Sequence, residues 1–327
     1  MSAKMSDVAK LAGVSPTTVS RVINRHGYLS QSTIDKVEKA MAQLDYQPSN
    51  VARALQGKRT KLIGVIVTSV QNPLFAELIE ELERALYKKG YKIILCNSED
   101  NAEEEREYLQ MLTANRVDGI ITSSHNLGIK EYQKIQLPIV SFDRALSPSI
   151  PIVASDNYAG AKMAVQALIN TGSRSIAMIS GRNNTDSPIA LRLKGYQDTL
   201  KANSLEGHVY QFGHEEAKDI KEAALTKIIK AGKMDAFFCT DDLTALMVYN
   251  IALNLGVRVP EDVQIIGYDG SKTVRRYVSR LSTVVQPIKS IATLLVELLL
   301  QRIDDPAAKQ DAQYVLPVSL HRANTTR

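Results

Sequence analysis

From Leu62 onward the chain alternates short apolar runs with helical stretches, and that alternation restricts its possible folds more than any other feature. The runs LIGVIV, YKIILCN, VDGIITSS and PIVSFD are separated by helical patterns at 75–89 and 103–115. The order restarts after IPIVASDN, where SIAMISG, DAFFCTDD and VQIIGYDG alternate with helical patterns at 158–170, 187–202, 217–231 and 243–255. Strands this continuously apolar cannot face water on either side, so they belong in parallel sheets covered by helices on both faces. Two doubly wound lobes are therefore expected in a body spanning 61–327. A last apolar helix at 291–302 and a strand around 314–318 are too little for a third lobe, and they are assigned to the first. The expected layout is 61–157 with 288–320 for the first lobe and 158–287 for the second, with the chain crossing between lobes several times.

Ligands of such sheets sit beyond the carboxyl ends of the strands. The loop positions there are Asn72, Phe75, Ser123, Asp143, Arg192, Asp241 and Asp269. Three carboxylates and a guanidinium can hydrogen-bond several hydroxyls of a sugar, while Phe75 can lie against its apolar face. Arg192 suits a phosphate group as well as a hydroxyl. Asp241 or Asp242 equally suits the N-cap of a helix starting at Leu243.

The segment ahead of this body differs in charge. Met1 to Lys61 carries ten Lys and Arg against four Asp and Glu, a surplus of six that leaves the rest of the +5 chain at about −1. Such asymmetry points to a polyanion as partner of the basic end. From Met5 to Asn24 two short helices are expected around a tight turn, with Val8, Leu11 and Ala12 on one face and Val19, Val22 and Ile23 on the next, which is helix-turn-helix spacing. Gly13 can end the first helix in the left-handed conformation. Ser15 as N-cap, Pro16 at the first helical position and a Val14/Val19 staple start the second. A third helix begins at Ser30 between Leu29 and Ile34 and runs through Val37, Met41 and Leu44, completing a head over 1–47. Thr17, Thr18, Ser20 and Arg21 leave the outer face of the second helix short and polar with one long cation, a face that fits a major groove. Residues 48–60 form a hinge and linker, in which 50–56 is a helix candidate too short to be stable alone.

The stretches SDVAKLAGVSPTTVSRVIN and DKVEKAMAQLDYQPSNVARALQGKRT resemble the head and hinge of lac-repressor-family transcription regulators, and the body resembles their effector domain and the periplasmic sugar-binding proteins over its full length. The resemblance implies that Pro16, Thr17 and Arg21 face base edges, with Ser15, Thr18, Ser20 and Asn24 near phosphates. Pro16 offers no donor, only apolar contact such as to a thymine methyl. It further implies that Asn50, Ala52 and Leu55 lie in a hinge helix whose leucine wedges into the minor groove, with Lys58, Arg59 and Lys61 adding phosphate contacts. In the body it implies ligand roles for Asp143, Arg192, Asp241 and Asp269. RVDGIITSSHNLGI and SFDRALSPSIPIVASDNYAG resemble the Gram-positive sucrose-operon branch. The expected partners are double-stranded operator DNA, a sugar or sugar-phosphate inducer and a second copy of the chain, since the tetramerising heptad of the family is not seen at the end. A phosphocarrier corepressor, as in catabolite regulators of the same family, is the disfavoured alternative. A sugar-binding transport protein is the alternative of another class.

Composition and motifs restrict the rest. At 327 residues and 44% hydrophobic content the chain can bury a large core. Cys96 and Cys239 fall in apolar runs and suit buried hydrophobes better than a disulfide. Neither an export signal nor a run approaching 18 apolar residues is present, so a cytoplasmic protein without a membrane span is expected. G-x-S-x-G, G-x-x-x-x-G-K-[ST] and G-x-G-x-x-G are all missing, and the five histidines are scattered without ligand spacing. No enzyme activity, metal site or cofactor is expected.

Overall fold

A computed structural model of the protein describes residues 3–23, 26–47, 59–99, 101–123, 126, 128–181, 187–213 and 218–327. The chain divides into two compact units, Met1–Thr60 and Lys61–Arg327. Asn24, Asn50, Ala52 and Leu55, with the hinge-helix expectation at 50–56 and Lys58, lie outside the described residues.

The first unit holds three helices, α1 (Met5–Ala12), α2 (Pro16–Ile23) and α3 (Gln31–Gln43). Three of their boundaries have a local cause. Gly13 closes α1 at φ 67°, where a side chain would be strained. Ser15 Oγ accepts the Thr18 N–H at 3.1 Å, and Ser30 Oγ accepts the Thr33 N–H at 3.3 Å, so both hydroxyls satisfy donors that a helix start leaves open. Val8, Ala9, Val19, Val22, Val37 and Ala40 form the core. Leu11, expected on the inner face, is 45% exposed. Helices of eight residues packed on a small core bury only one narrow stripe each, and on α1 that stripe is Val8 and Ala9.

The second unit contains two six-stranded sheets. The first has order β11-β5-β4-β3-β1-β2, from β1 (Leu62–Val67), β2 (Lys92–Asn97), β3 (Gly119–Thr122), β4 (Ile139–Phe142), β5 (Ile152–Ser155) and β11 (Gln313–Leu316), all parallel. The helices α4 (Pro73–Lys88) and α12 (Ile288–Asp304) cover one face, with Leu78, Leu82, Ile291 and Leu295 packed on Ile63, Val65 and Val140. The other face lies under α5 (Ala102–Ala114) and α6 (Glu131–Lys134), with Leu109, Leu112 and Tyr132 on Ile66 and Ile120. Ile63 and Val65 thus point opposite to Ile66, as the two-residue strand period requires.

The second sheet has order β12-β10-β9-β8-β6-β7, from β6 (Ile176–Gly181), β7 (His208–Phe212), β8 (Ala236–Cys239), β9 (Gln264–Asp269), β10 (Ser282–Val285) and β12 (Ser319–His321). Its faces are covered by α7 (Asn157–Asn170) and α8 (Pro188–Ala202) on one side. On the other lie α9 (Lys218–Lys230), α10 (Asp242–Asn254) and α11 (Lys272–Tyr277). Cys96 and Cys239 are buried free thiols, and burial pushes Cys96 up to about 11 and raises Cys239 as well, so neither is activated.

Two features depart from the expected layout. The C-terminal segment does not stay with the first sheet: β11 pairs with β5, but β12 pairs antiparallel with β10 in the second. Pro317 intervenes, and a residue without an N–H cannot extend the ladder of β11. β7 was not foreseen, because an edge strand with only Phe212 buried carries no continuous apolar run. The chain consequently crosses between lobes at 155–157, 286–287 and 317–318. On the α4 side the lobes also meet through Lys272, whose ammonium lies 2.5 Å from Glu81 and whose backbone N–H donates to Glu77 at 2.6 Å. That ion pair holds the Glu81 carboxyl below its ordinary range.

Candidate functional site

The carboxyl ends of both sheets face a cavity of about 310 Å³ in the second unit, and all seven positions singled out from the sequence line it, although Phe75 and Arg192 lie on helices rather than in loops. Asn72 follows β1 and caps α4, its Oδ1 accepting the Leu74 N–H at 2.9 Å. Phe75, one turn on, is buried at the wall. Ser123 follows β3, donating from Oγ to the Ile66 carbonyl at 3.4 Å. Asp143 follows β4 at φ 64° and Asp269 ends β9 at φ 105°. Left-handed backbone at a non-glycine residue costs about 1–3 kcal/mol and persists only where the surroundings impose it. Here it turns both carboxylates out of their strands toward the cavity they line.

The second lobe supplies the charge pattern. Arg192, on α8, is 6% exposed and its guanidinium lies 3.7 Å from the centre of the Tyr268 ring. Nε donates to Asn157 Oδ1 at 2.8 Å, one terminal nitrogen donates to the Thr240 carbonyl, and the other lies 3.8 Å from Asp269 Oδ1. Burial raises the Asp269 carboxyl above its ordinary range; Arg192 opposes that shift without cancelling it.

The sequence left Asp241 and Asp242 as alternative caps, and the structure separates them. Asp241 caps α10, accepting the Thr244 N–H at 2.7 Å and the Thr244 hydroxyl at 2.8 Å, and it lines the cavity as well. Asp242 turns away from it. Its carboxylate accepts the Gly270 N–H at 2.8 Å and the Thr283 hydroxyl at 2.5 Å, and burial pushes it up to about 7.

Several lining residues escaped the sequence reading. Lys221 on α9 reaches in and donates to Thr244 Oγ1 at 2.8 Å, extending the Asp241 network. Nothing local marks it, since it is one of several lysines on an amphipathic helix. Arg144 also lines the cavity. Its place directly after Asp143 was the available signal. Among the described residues no group of three or more His, Cys, Asp or Glu could hold a metal ion, and no helix is long and apolar enough to cross a membrane.

In the first unit, Ser15 at the start of α2 and Pro16, Thr17 and Arg21 on it are exposed, while Thr18 and Ser20 are half-buried. The Thr18 hydroxyl lies 2.9 Å from Ser15 Oγ, so it belongs to the cap as well as to the outer face. The Arg21 guanidinium rests against Gly27, where an added Cβ would sit 2.8 Å from a terminal nitrogen. Tyr28, the next residue, is 95% exposed and was not anticipated.

Comparison with known proteins accounts for both units. Residues 4–49 match the family model described as bacterial regulatory proteins, lacI family, and residues 165–326 match a periplasmic binding protein-like domain. The sucrose operon repressor of Pediococcus pentosaceus is 51% identical over 325 residues, covering 99% of this chain and 100% of that one. The sucrose operon repressor of Streptococcus mutans serotype c is 49% identical over 98% of both chains. The crystal structure of the lac repressor dimer bound to operator and the anti-inducer ONPF superposes with a TM-score of 0.85 at 27% identity, covering 100% of both chains. With a helix-turn-helix head, a two-lobed body and full-length relatives of this similarity, the chain belongs to the lacI family of bacterial regulatory proteins.

Proposed function

We propose that this regulator represses a sucrose-utilisation operon in the cytoplasm as a homodimer, and that a sugar or sugar phosphate held between its lobes releases it from the operator. The observation that carries the reading is the convergence of Asp143, Asp241, Asp269 and Arg192 on one cavity in a chain half identical to sucrose operon repressors. Carboxylates accept from sugar hydroxyls, Arg192 donates, and Phe75 covers an apolar ring face. On the operator side, Pro16, Thr17 and Arg21 read base edges while Ser15, Thr18, Ser20 and Asn24 contact phosphates, with Asn50, Ala52 and Leu55 in the hinge.

Thermal unfolding of the full chain with sucrose, sucrose 6-phosphate, fructose and fructose 6-phosphate tests the reading. A sugar at 100 times its Kd adds about 2.7 kcal/mol to the folded state, so one of these should raise the midpoint by several degrees and release operator DNA at the same concentrations. If none does either, the reading fails.

Arg21 is the one long side chain among the base readers. Arg21→Ala should weaken operator binding about 5- to 150-fold per half-site, the equivalent of 1–3 kcal/mol, while changing affinity for random DNA little. Equal losses on operator and random DNA in a filter-binding titration would make Arg21 a phosphate contact instead.

A further inference from the structure

Two of the three crossings between the lobes meet inside the protein. At the first, Ser155 ends β5 in the first lobe and Asn157 begins α7 in the second; at the second, Gln286 stands between β10 and α12. These three side chains are 1–3% exposed, and none lines the cavity. Ser155 Oγ donates to Gln286 Oε1 at 2.7 Å, joining the crossings directly. Gln286 Nε2 donates to Asp269 Oδ1 at 2.8 Å, and its backbone N–H donates to the Asp269 carbonyl at 3.1 Å. Asn157 Nδ2 donates to Asp143 Oδ1 at 3.0 Å and to the Ser155 carbonyl at 3.1 Å, while its Oδ1 accepts from Arg192. With Asp269 beside Arg192, the circuit closes through Ser155, Gln286, Asp269, Arg192 and Asn157, with Asp143 attached.

We propose that Ser155, Asn157 and Gln286 are positioning residues that couple occupancy of the cleft to the angle between the lobes. The inference rests on the sugar-responsive reading above. Asp143 moves with the first sheet, whereas Arg192 and Asp269 move with the second. A ligand drawing Asp143 and Asp269 together must therefore turn the chain at the crossings, where the amides of Asn157 and Gln286 and the Ser155 hydroxyl form directional bonds to both sides. Hinges of this kind concentrate rotation in a few residues at element ends. Water cannot substitute for a partner lost there, because the groups are buried, so the bonds favour discrete lobe angles over a continuum. The ligand shifts that equilibrium only by its differential affinity for the two arrangements.

The test uses the full chain, its Ser155→Ala and Gln286→Leu variants and the double variant. Titration with sucrose, fructose and their 6-phosphates is run with and without operator DNA. In the parent, the effective sugar should weaken operator binding by a factor in the usual allosteric range of about 5 to 150. In the double variant, direct sugar affinity should stay within about fivefold while that factor falls to within about twofold of one. An unchanged factor overturns the relay, and so does a loss of sugar binding with no separate loss of coupling, which would make Gln286 a support of the site alone.

A second arm needs no sugar. Dyes attached at Glu107→Cys and Lys201→Cys, both exposed and on different lobes, report the lobe distance, since the native thiols are buried. In labelled chains diluted with unlabelled ones, Ser155→Ala and the double variant should broaden or shift the distance distribution relative to the parent. An unaltered distribution overturns the relay. If the parent responds to none of the four sugars, the functional reading falls, and this arm still decides the relay.

Discussion

Arg192→Met should abolish sugar-induced release and lower the unfolding midpoint of the body by on the order of 10 °C. The side chain is nearly the size of the original, so the effect isolates the loss of charge and donors. Arg192 serves the Asn157 amide, the Thr240 carbonyl, the Asp269 carboxylate and the Tyr268 ring at once. Removing it leaves the buried Asn157 amide oxygen and Thr240 carbonyl without that donor, at about 1–3 kcal/mol each, and takes the opposing charge from beside Asp269. For a domain of this size each kcal/mol is worth about 2–4 °C. Sugar affinity should fall more than about 100-fold, because several directed contacts disappear together. Arg192→Lys should recover little of it, since an ammonium cannot bond Asn157 and Thr240 in one plane while stacking on Tyr268. Calorimetric unfolding and sugar titration check both halves, and a variant that melts and induces like the parent would remove Arg192 from the centre of the site.

The second large effect is a pH dependence of stability centred on Asp242. Burial pushes this carboxyl up to about 7, whereas in the unfolded chain it titrates near the ordinary aspartate value of about 4. Between those values the folded state binds a proton that the unfolded state has lost. Stability therefore falls as pH rises from about 4 to about 7 and is flat above, by up to roughly 4 kcal/mol for the full difference. Asp269, also raised by burial, acts in the same direction. Asp242→Asn should remove much of the slope. An amide can still accept from Gly270 with its oxygen and can donate to the Thr283 hydroxyl oxygen, so the turn after β9 is kept. The expected result is an unfolding midpoint for the variant that equals the parent near pH 5 and exceeds it at pH 8. A parent whose midpoint does not drop over that interval would place the Asp242 carboxyl in its ordinary range.

Much of this architecture is legible in the order of residues alone. Continuous apolar runs such as LIGVIV and IIGY identify strands buried on both faces, and Ser15, Ser30, Asn72 and Asp241 mark helix starts through side chains that reach only two or three residues along the chain. Because the strands are parallel, their carboxyl ends share one edge of each sheet. Positions beyond the apolar runs, together with the family resemblance, pointed to Asn72, Phe75, Ser123, Asp143, Arg192, Asp241 and Asp269, and all seven line one cavity.

The expectations that failed, and the features that were invisible, had a different physical origin. Leu11 has the right spacing for a core face, yet the buried stripe of α1 is Val8 and Ala9. β7 and Lys221 carry no local mark, one being an exposed edge and the other a lysine on an ordinary helix surface. The choice between Asp241 and Asp242 depends on Gly270 and Thr283, which lie 28 and 41 residues away.

The two sheets, the helical head and the strand ends that supply the cavity were thus written into the residue order, because they come from periodicity and from caps within one turn. Three outcomes were settled only by folding: β12 leaves the first sheet for the second, Asp242 faces the protein's interior, and Ser155 meets Gln286 across 131 residues. Each of them depends on partners brought together only when the sheets pack, and no pattern along the chain encodes the distance between them.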